Sequence, residues 1–162
     1  MFDQKWTCSE LWRVTVMLLA LVGCSAQRQR DSVVKPSIFG RWQVVSFIMP
    51  GVTAMDSTAA RAWLGREVTY DPSRAQFGNE ECRQPGYRHF LLSGEAFERE
   101  NLFSPTELGL RRDSVAVVEV TCDGQRAGTG HYLFVESSDA MYTDVDGVYF
   151  ELRRREAASK DP

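Results

Sequence analysis

The sequence predicts an all-β domain: an antiparallel eight-stranded meander barrel carrying one to three short helices, with a two-sheet β-sandwich as the alternative. Three observations carry this. Beyond residue 38, apolar side chains recur mainly with a period of two, which places alternate residues on opposite faces of a strand. The runs are bounded by turn chemistry at Asp71-Pro72-Ser73, Gln84-Pro85-Gly86, Asp123-Gly124, Ser137-Ser138-Asp139 and Asp146-Gly147. Helical signals are short and local. Several strands follow one another at hairpin spacing, and closing such a meander on itself removes the unpaired edges that an open sheet would expose.

The first strand is FGRWQVVSFI, Phe39 to Ile48, with Trp42, Val44, Ser46 and Ile48 on one face and Gln43, Val45 and Phe47 on the other. Seven more follow, at Arg66 to Asp71, Ala75 to Gly78, Tyr87 to Leu92, Ser114 to Cys122, Gly130 to Glu136, Ala140 to Asp144 and Val148 to Arg154. Between the first two, Asp56 is placed to cap a short helix running to Trp63, because its carboxylate can accept from the free amides of a first turn, and Gly65 suits the left-handed exit. Ser93 caps a second helix over Gly94 to Asn101. Ser104-Pro105 opens a third turn, with proline at a position whose amide has no intrahelical partner.

The segment before the barrel is of another kind. Val14 to Val22 reads VTVMLLALV, nine uncharged residues, long enough for the apolar core of a signal peptide and too short to span a bilayer. Lys5 and Arg13 precede it, together with Asp3 and Glu10. The run ends in Leu21-Val22-Gly23-Cys24, which resembles the bacterial lipoprotein lipobox. That resemblance implies removal of residues 1–23, a diacylglycerol on the Cys24 thiol and a further acyl chain, such as palmitate, on the new amino terminus. Ser25 after the cysteine implies the outer membrane, facing the periplasm, with the inner membrane as the alternative. Residues 24–37 then form a polar lipidated tether, residues 38–156 the barrel domain and residues 157–162 a polar tail.

The chain has a net charge of −3, and the two basic and two acidic residues of the leader balance, so the mature part keeps it. There is no basic stripe for nucleic acid and no polybasic patch for lipid headgroups. Membrane attachment is therefore expected from the covalent lipid. Of the 4 cysteines, Cys8 leaves with the leader and Cys24 is consumed by lipid. Cys82 and Cys122 remain, and an exported protein is expected to pair them. Two separate thiols, or a metal site shared with His89 and His131, are the alternatives, but no close-spaced ligand pair of the CxxC or HxxxH kind is present. No metal and no cofactor is assigned.

Gly40-Arg41-Trp42, at the head of the first strand, resembles the Gly-x-Trp signature of the lipocalins and the wider calycin superfamily. In that family an arginine of the last strand packs over the tryptophan and closes the barrel base. The resemblance gives this role to Arg153 or Arg154, and strand parity does not choose between them. Thr143-Asp144-Val145-Asp146 is similar to the Thr-Asp-Tyr element of lipocalins, and the connection from Met49 to Gly65 to their large first loop. One strand follows the Thr-Asp element and the EAASKDP tail is short and polar, which resembles the shorter barrels of small periplasmic proteinase inhibitors. A Gly-x-Trp start with a terminal DGVYFEL strand is also similar to small bacterial lipoproteins, a likeness that brings no activity with it.

The function expected is binding, in one of two forms. An open interior lined by Trp42, Val44, Tyr87, Val118, Leu133 and Phe150 would take a lipid or other small hydrophobic ligand. A filled interior would move binding outward to Pro50–Met55 and Phe103–Glu107, acting on another envelope protein as inhibitor or assembly accessory, with Met49, Val52, Met55 and Phe103 either as apolar anchors or as the packing side of short helices. The alternative is an envelope hydrolase. For it the chain offers only the Glu80-Glu81 pair beside Cys82, with no nucleophile elbow, metal helix or phosphate loop. His89 and His131 fall inside predicted strands and are read as surface or core residues, and no catalytic residue is assigned.

Overall fold

The computed structural model describes residues 37–155. The leader, Cys24, the tether up to residue 36 and the tail lie outside the described residues. Within them the chain forms β1 (Gly40–Ile48), α1 (Ser57–Arg61), β2 (Glu67–Tyr70), β3 (Ala75–Phe77), β4 (Glu80–Cys82), β5 (Pro85–Ser93), α2 (Gly94–Asn101), a 3-10 turn (Pro105–Leu108), β6 (Ser114–Cys122), β7 (Gln125–Arg126), β8 (Tyr132–Val135), β9 (Ala140–Val145) and β10 (Val148–Arg154). The architecture is all-β and barrel-like, as the alternation requires. Ten strands replace the expected eight. The additions, β4 and β7, have 3 and 2 residues, too few to carry an alternating pattern.

All ten strands belong to one sheet in the order β4-β3-β2-β1-β10-β9-β8-β6-β5, with β7 beside β6. Since β5 pairs along the whole of β6, β7 and β8 share the opposite edge, β7 at Thr121–Cys122 and β8 over Ala116–Glu119. β1 joins the beginning of the chain to its end by pairing with both β2 and β10. The sheet thus curls around as an antiparallel meander whose two ends, β4 and β5, are consecutive in sequence. No strand pairing joins these two, so closure by a complete hydrogen-bonded ladder is not what the chain achieves.

The tight connections follow from turn chemistry. Asp123-Gly124 joins β6 to β7 and Asp146-Gly147 joins β9 to β10, with all four residues at positive φ (52° and 77°, 54° and 83°). Two consecutive left-handed residues match the strand twist, and Asp-Gly is among the few dipeptides that adopt this arrangement cheaply. Asp56 caps α1 by accepting from the amides of Thr58 and Ala59, both at 2.8 Å. The α-helix ends at Arg61 and continues only as turns through Gly65, short of the expected Trp63.

One expected pattern is broken. Between Val44 and Ser46 the register of β1 against β10 slips by a residue: Val44 faces Leu152, Ser46 faces Glu151 and Phe47 faces Phe150. A bulge of this kind inserts an extra residue and reverses parity beyond it. Phe47 therefore turns inward, whereas Ile48 packs on the outer face and Ser46 bonds Glu151 at 2.6 Å.

The sheet buries both faces. Inside lie Trp42, Tyr70, Leu133, Met141, Phe150 and Leu152, all at most 1 % exposed. The long first connection covers this interior with Met49, Met55 and Trp63, the last at 5.1 Å from Phe77 and 5.9 Å from Phe150, ring centre to ring centre. Outside, α2 and the 3-10 turn build a second core from Phe97, Phe103, Leu108 and Leu110 against Val115, Val117, Phe134, Tyr142 and Tyr149. Phe97 stands edge-on to Phe103 and Phe134 at 5.3 and 5.4 Å. This layer explains why the middle of β6 is buried on both sides. It also holds Phe103 at 8 % exposure, so of the two roles open to it, surface anchor or packing side of a short helix, it takes the second. α2 enters so close to the sheet that a Cβ on Gly94 would stand 1.8 Å from the Arg112 carbonyl oxygen.

Candidate functional site

The base of the barrel is closed by Arg154. Its guanidinium lies 4.2 Å over the Trp42 ring, donates from Nη1 to the Phe39 carbonyl at 2.8 Å and from Nε to that of Ser138 at 2.7 Å, and also reaches the Ser37 carbonyl. Trp42 Nε1 donates to the Ile38 carbonyl at 2.8 Å. Gly40 is required here, because a Cβ would meet Arg154 Nη1 at 2.6 Å. Arg153 faces the other way and pairs with Glu151. Register decides between the two arginines: Arg154 stands opposite Trp42, and Arg153 opposite Gln43.

The seam between β4 and β5 is closed covalently. Cys82 and Cys122 form a disulfide with their Cα atoms 5.7 Å apart, tying β4 to the end of β6. Tyr87, on β5, adds a hydrogen bond from its hydroxyl to the Asp71 carbonyl at 2.8 Å and an edge contact with Phe39. Burial, with the Asp71 charge behind it, pushes the Tyr87 phenol up to about 12.

Among the residues expected to line a ligand pocket, Val44, Val118, Leu133 and Phe150 are at most 2 % exposed and pack in one cluster with Trp42. Tyr87 packs against the same cluster from the seam. These side chains pack against one another and leave no pocket between them, the remaining inner space lying beside Tyr70, Phe77 and Val120. Glu80 and Glu81 border a pocket of about 100 Å³ beside the disulfide, but both are engaged. Glu80 accepts from the Thr129 amide at 2.8 Å and its hydroxyl at 2.6 Å, while Glu81 meets Arg74 and Arg83. Among the described residues no group of three or more His, Cys, Asp or Glu side chains is placed to hold a metal, and no helix is long and apolar enough to cross a membrane.

A larger concavity lies on the outer face, where α2 leaves the sheet uncovered. It has about 240 Å³ and is lined by Phe90 and Leu92 of β5, Val117 of β6, Tyr132 and Phe134 of β8, Asp144 of β9, His131, and Glu100 and Asn101 at the end of α2. His131 immediately precedes β8 rather than lying inside a strand. Asn101 is fixed at both ends of its amide: Nδ2 donates to the Phe97 carbonyl at 2.8 Å, and Oδ1 accepts from the Tyr149 hydroxyl.

Asp144 is the distinctive group of this cleft. Its Oδ1 is buried and makes no hydrogen bond. Burial holds its carboxyl above the ordinary carboxylate range, with Asp146 adding to the rise and His131 opposing it. Tyr149, directly opposite Asp144 in the β9–β10 register, has its phenol raised by burial and by the Asp144 charge. When ionised the group only accepts hydrogen bonds, and when protonated it also donates one. Sequence reasoning noted Asp144 only within the Thr143–Asp146 motif and missed this site. The available signal was one acid in the otherwise apolar strand AMYTDV.

Compared with known protein families, with curated proteins and with solved structures, the chain matches none.

Proposed function

We propose that this chain is a bacterial envelope lipoprotein, held to the outer membrane on its periplasmic side by diacylglycerol and palmitate-type acyl chains at Cys24, with the inner membrane as the alternative location. On this reading the barrel is a binding module that works from its outer face. The observation that carries it is the contrast between the two faces. Around Trp42 and Phe150 the interior is closely packed and keeps only about 100 Å³, beside Tyr70 and Phe77, whereas the cleft under α2 keeps about 240 Å³ with the Asp144 carboxyl in its lining. A concavity lined mainly by apolar and aromatic side chains with a few polar groups has the usual form of a small-ligand site. The lipocalin-like closure by Gly40, Trp42 and Arg154 then serves stability rather than ligand entry.

Docking to another envelope protein, as inhibitor or assembly accessory, is the second reading, favoured by Val52, fully exposed within the Pro50–Met55 loop, and by Leu91 on β5, 75 % exposed.

The test has two arms. Cys24→Ser should abolish incorporation of labelled fatty acid and leave either uncut precursor or released domain, since stable attachment needs two or more acyl chains. Normal membrane retention of an unlipidated protein would overturn the anchor. Native mass spectrometry of the full chain from bacterial envelopes should show a retained small molecule for the cleft reading. A stoichiometric protein partner lost on Val52→Asp would replace it with the docking reading.

A further inference from the structure

We infer that the outer cleft takes a small ligand bearing a protonated amine on an apolar or aromatic body, with the ammonium group seated on Asp144. The inference rests on the cleft's being a binding site and adds the chemical class of its ligand.

Three features of the lining converge on such a ligand. The first is the Asp144 carboxyl in the lining, whose inner oxygen is buried without a partner, so that a ligand's donor would meet the carboxyl from the cleft side. The Tyr149 hydroxyl bonds to Asn101 and the Asn101 amide to the Phe97 carbonyl, which leaves His131 as the ionisable neighbour that interacts with Asp144. A charged donor would form the stronger, charge-assisted bond.

The second is the balance of charge. The lining carries two carboxylates, Asp144 and Glu100, and neither lysine nor arginine; His131 is its one ionisable nitrogen. The nearest guanidinium groups are occupied. Arg88 bonds Glu119 at 2.7 Å and covers Phe90 at 4.8 Å, and Arg126 stands 3.9 Å from Glu119 and 5.8 Å from the Tyr132 ring. Glu119 thereby offsets one of these two positive charges. An anionic ligand would face Asp144 and Glu100 with only the His131 imidazole to receive it.

The third is the wall. Phe90, Tyr132 and Phe134 present aromatic surface, and Leu92 and Val117 complete an apolar floor. With guanidinium groups already over Phe90 and Tyr132, this wall is suited to a flat or aliphatic body rather than to the charge itself. Acid and aromatics come from four separate elements, α2 among them, so the site exists only when the outer layer is in place.

The probe is 2-phenylethylamine, titrated at pH 7.5 into isotopically labelled full-length protein in detergent, with phenylacetate and 2-phenylethanol as the anionic and neutral counterparts. Amide shifts at Val117, Phe134, Asn101 and Asp144 should saturate with the amine. The acid should leave them unmoved, and the alcohol should bind at least tenfold more weakly. Asp144→Asn should weaken the amine at least tenfold while the spectrum stays folded, and Glu100→Gln should weaken it by a smaller factor. Binding of all three compounds alike, with saturation at these amides, would overturn the amine assignment and leave the cleft as a binding site. No shift at these amides with any of the three would overturn the assignment too, and the envelope-derived protein would then decide whether the cleft is used at all. Undiminished amine binding by a folded Asp144→Asn variant would equally reject Asp144 as the seat.

Discussion

Trp42 and Arg154 stand opposite each other across β1 and β10, and the arginine folds its guanidinium to within 4.2 Å of the indole. The first strand of the domain is thereby locked to its last at the base of the barrel, by stacking, by charge-assisted bonds to the Phe39 and Ser138 carbonyls and by a glycine that leaves room for the contact.

Removing the indole should be costly. Trp42→Ala is expected to destabilise the domain by roughly 3–5 kcal/mol, the range for large-to-small changes in a packed core. Arg154→Ala should also lower stability clearly, because it strips acceptors at Phe39 and Ser138 of their partner. Arg153→Ala, on the outer face, should stay within about 0.5 kcal/mol of the parent. Urea unfolding of the three variants checks the order, and equal effects at the two arginines would contradict the closure described here.

The disulfide makes a second prediction. Cys82→Ser and Cys122→Ser each delete one cross-link spanning 40 residues, worth about 4 kcal/mol on the chain-entropy account. Both variants should therefore lose similar stability. Because β4 and β5 share no ladder, hydrogen exchange should also rise selectively at the seam, in β3, β4 and the start of β5. Free-thiol labelling of unreduced protein under denaturing conditions should find neither cysteine reactive, and two reactive thiols would refute the pairing.

Asp144 predicts a pH dependence of opposite sign to that of most carboxylates. Its folded-state pKa is raised, chiefly by burial, so the folded protein holds this proton more tightly than the unfolded chain does. Between the ordinary carboxylate value, about 3.9, and the raised one, the folded state binds more protons and stability falls as pH increases. Asp144→Asn removes that loss. The variant should melt higher than the parent at pH 7, with the difference shrinking as pH approaches about 4. His131, Asp146, Tyr149 and Glu100 surround the group, so the comparison is best repeated in a His131→Gln background, where the loss of the opposing charge should enlarge the gap. Thermal melts across this range are sufficient, and an Asp144→Asn protein less stable than the parent at pH 7 would mean that the carboxylate is structural.

Much of the architecture follows from local chemistry. β6 and β10 run over the residues that alternation and turns indicate, Ser114–Cys122 and Val148–Arg154, and α2 begins at Ser93 and occupies Gly94–Asn101 as its cap implies. These features depend on near neighbours, so they can be read along the chain. The β1 bulge could not be read this way, because nothing in VVSF marks which residue will lose its partner, and one slipped residue exchanged the faces of Phe47 and Ile48. The second core was equally hidden. Phe97 and Phe103 look like the apolar side of minor connections until α2 is laid on Val115, Val117 and Phe134.

The sequence by itself determined an all-β meander, its tight Asp-Gly hairpins, the caps of its helices and two cysteines available for one bond, since each of these is set by backbone preference or side-chain chemistry within a few residues or by counting. Tertiary structure alone decided which arginine covers Trp42, that the interior is packed around Trp42 and Phe150, that the seam is closed by sulfur, and that Asp144, Glu100, His131 and three aromatic rings share one cleft. Those outcomes depend on register, on the curl of the sheet and on where α2 comes to rest, and each of these is settled by contacts between residues far apart in the chain.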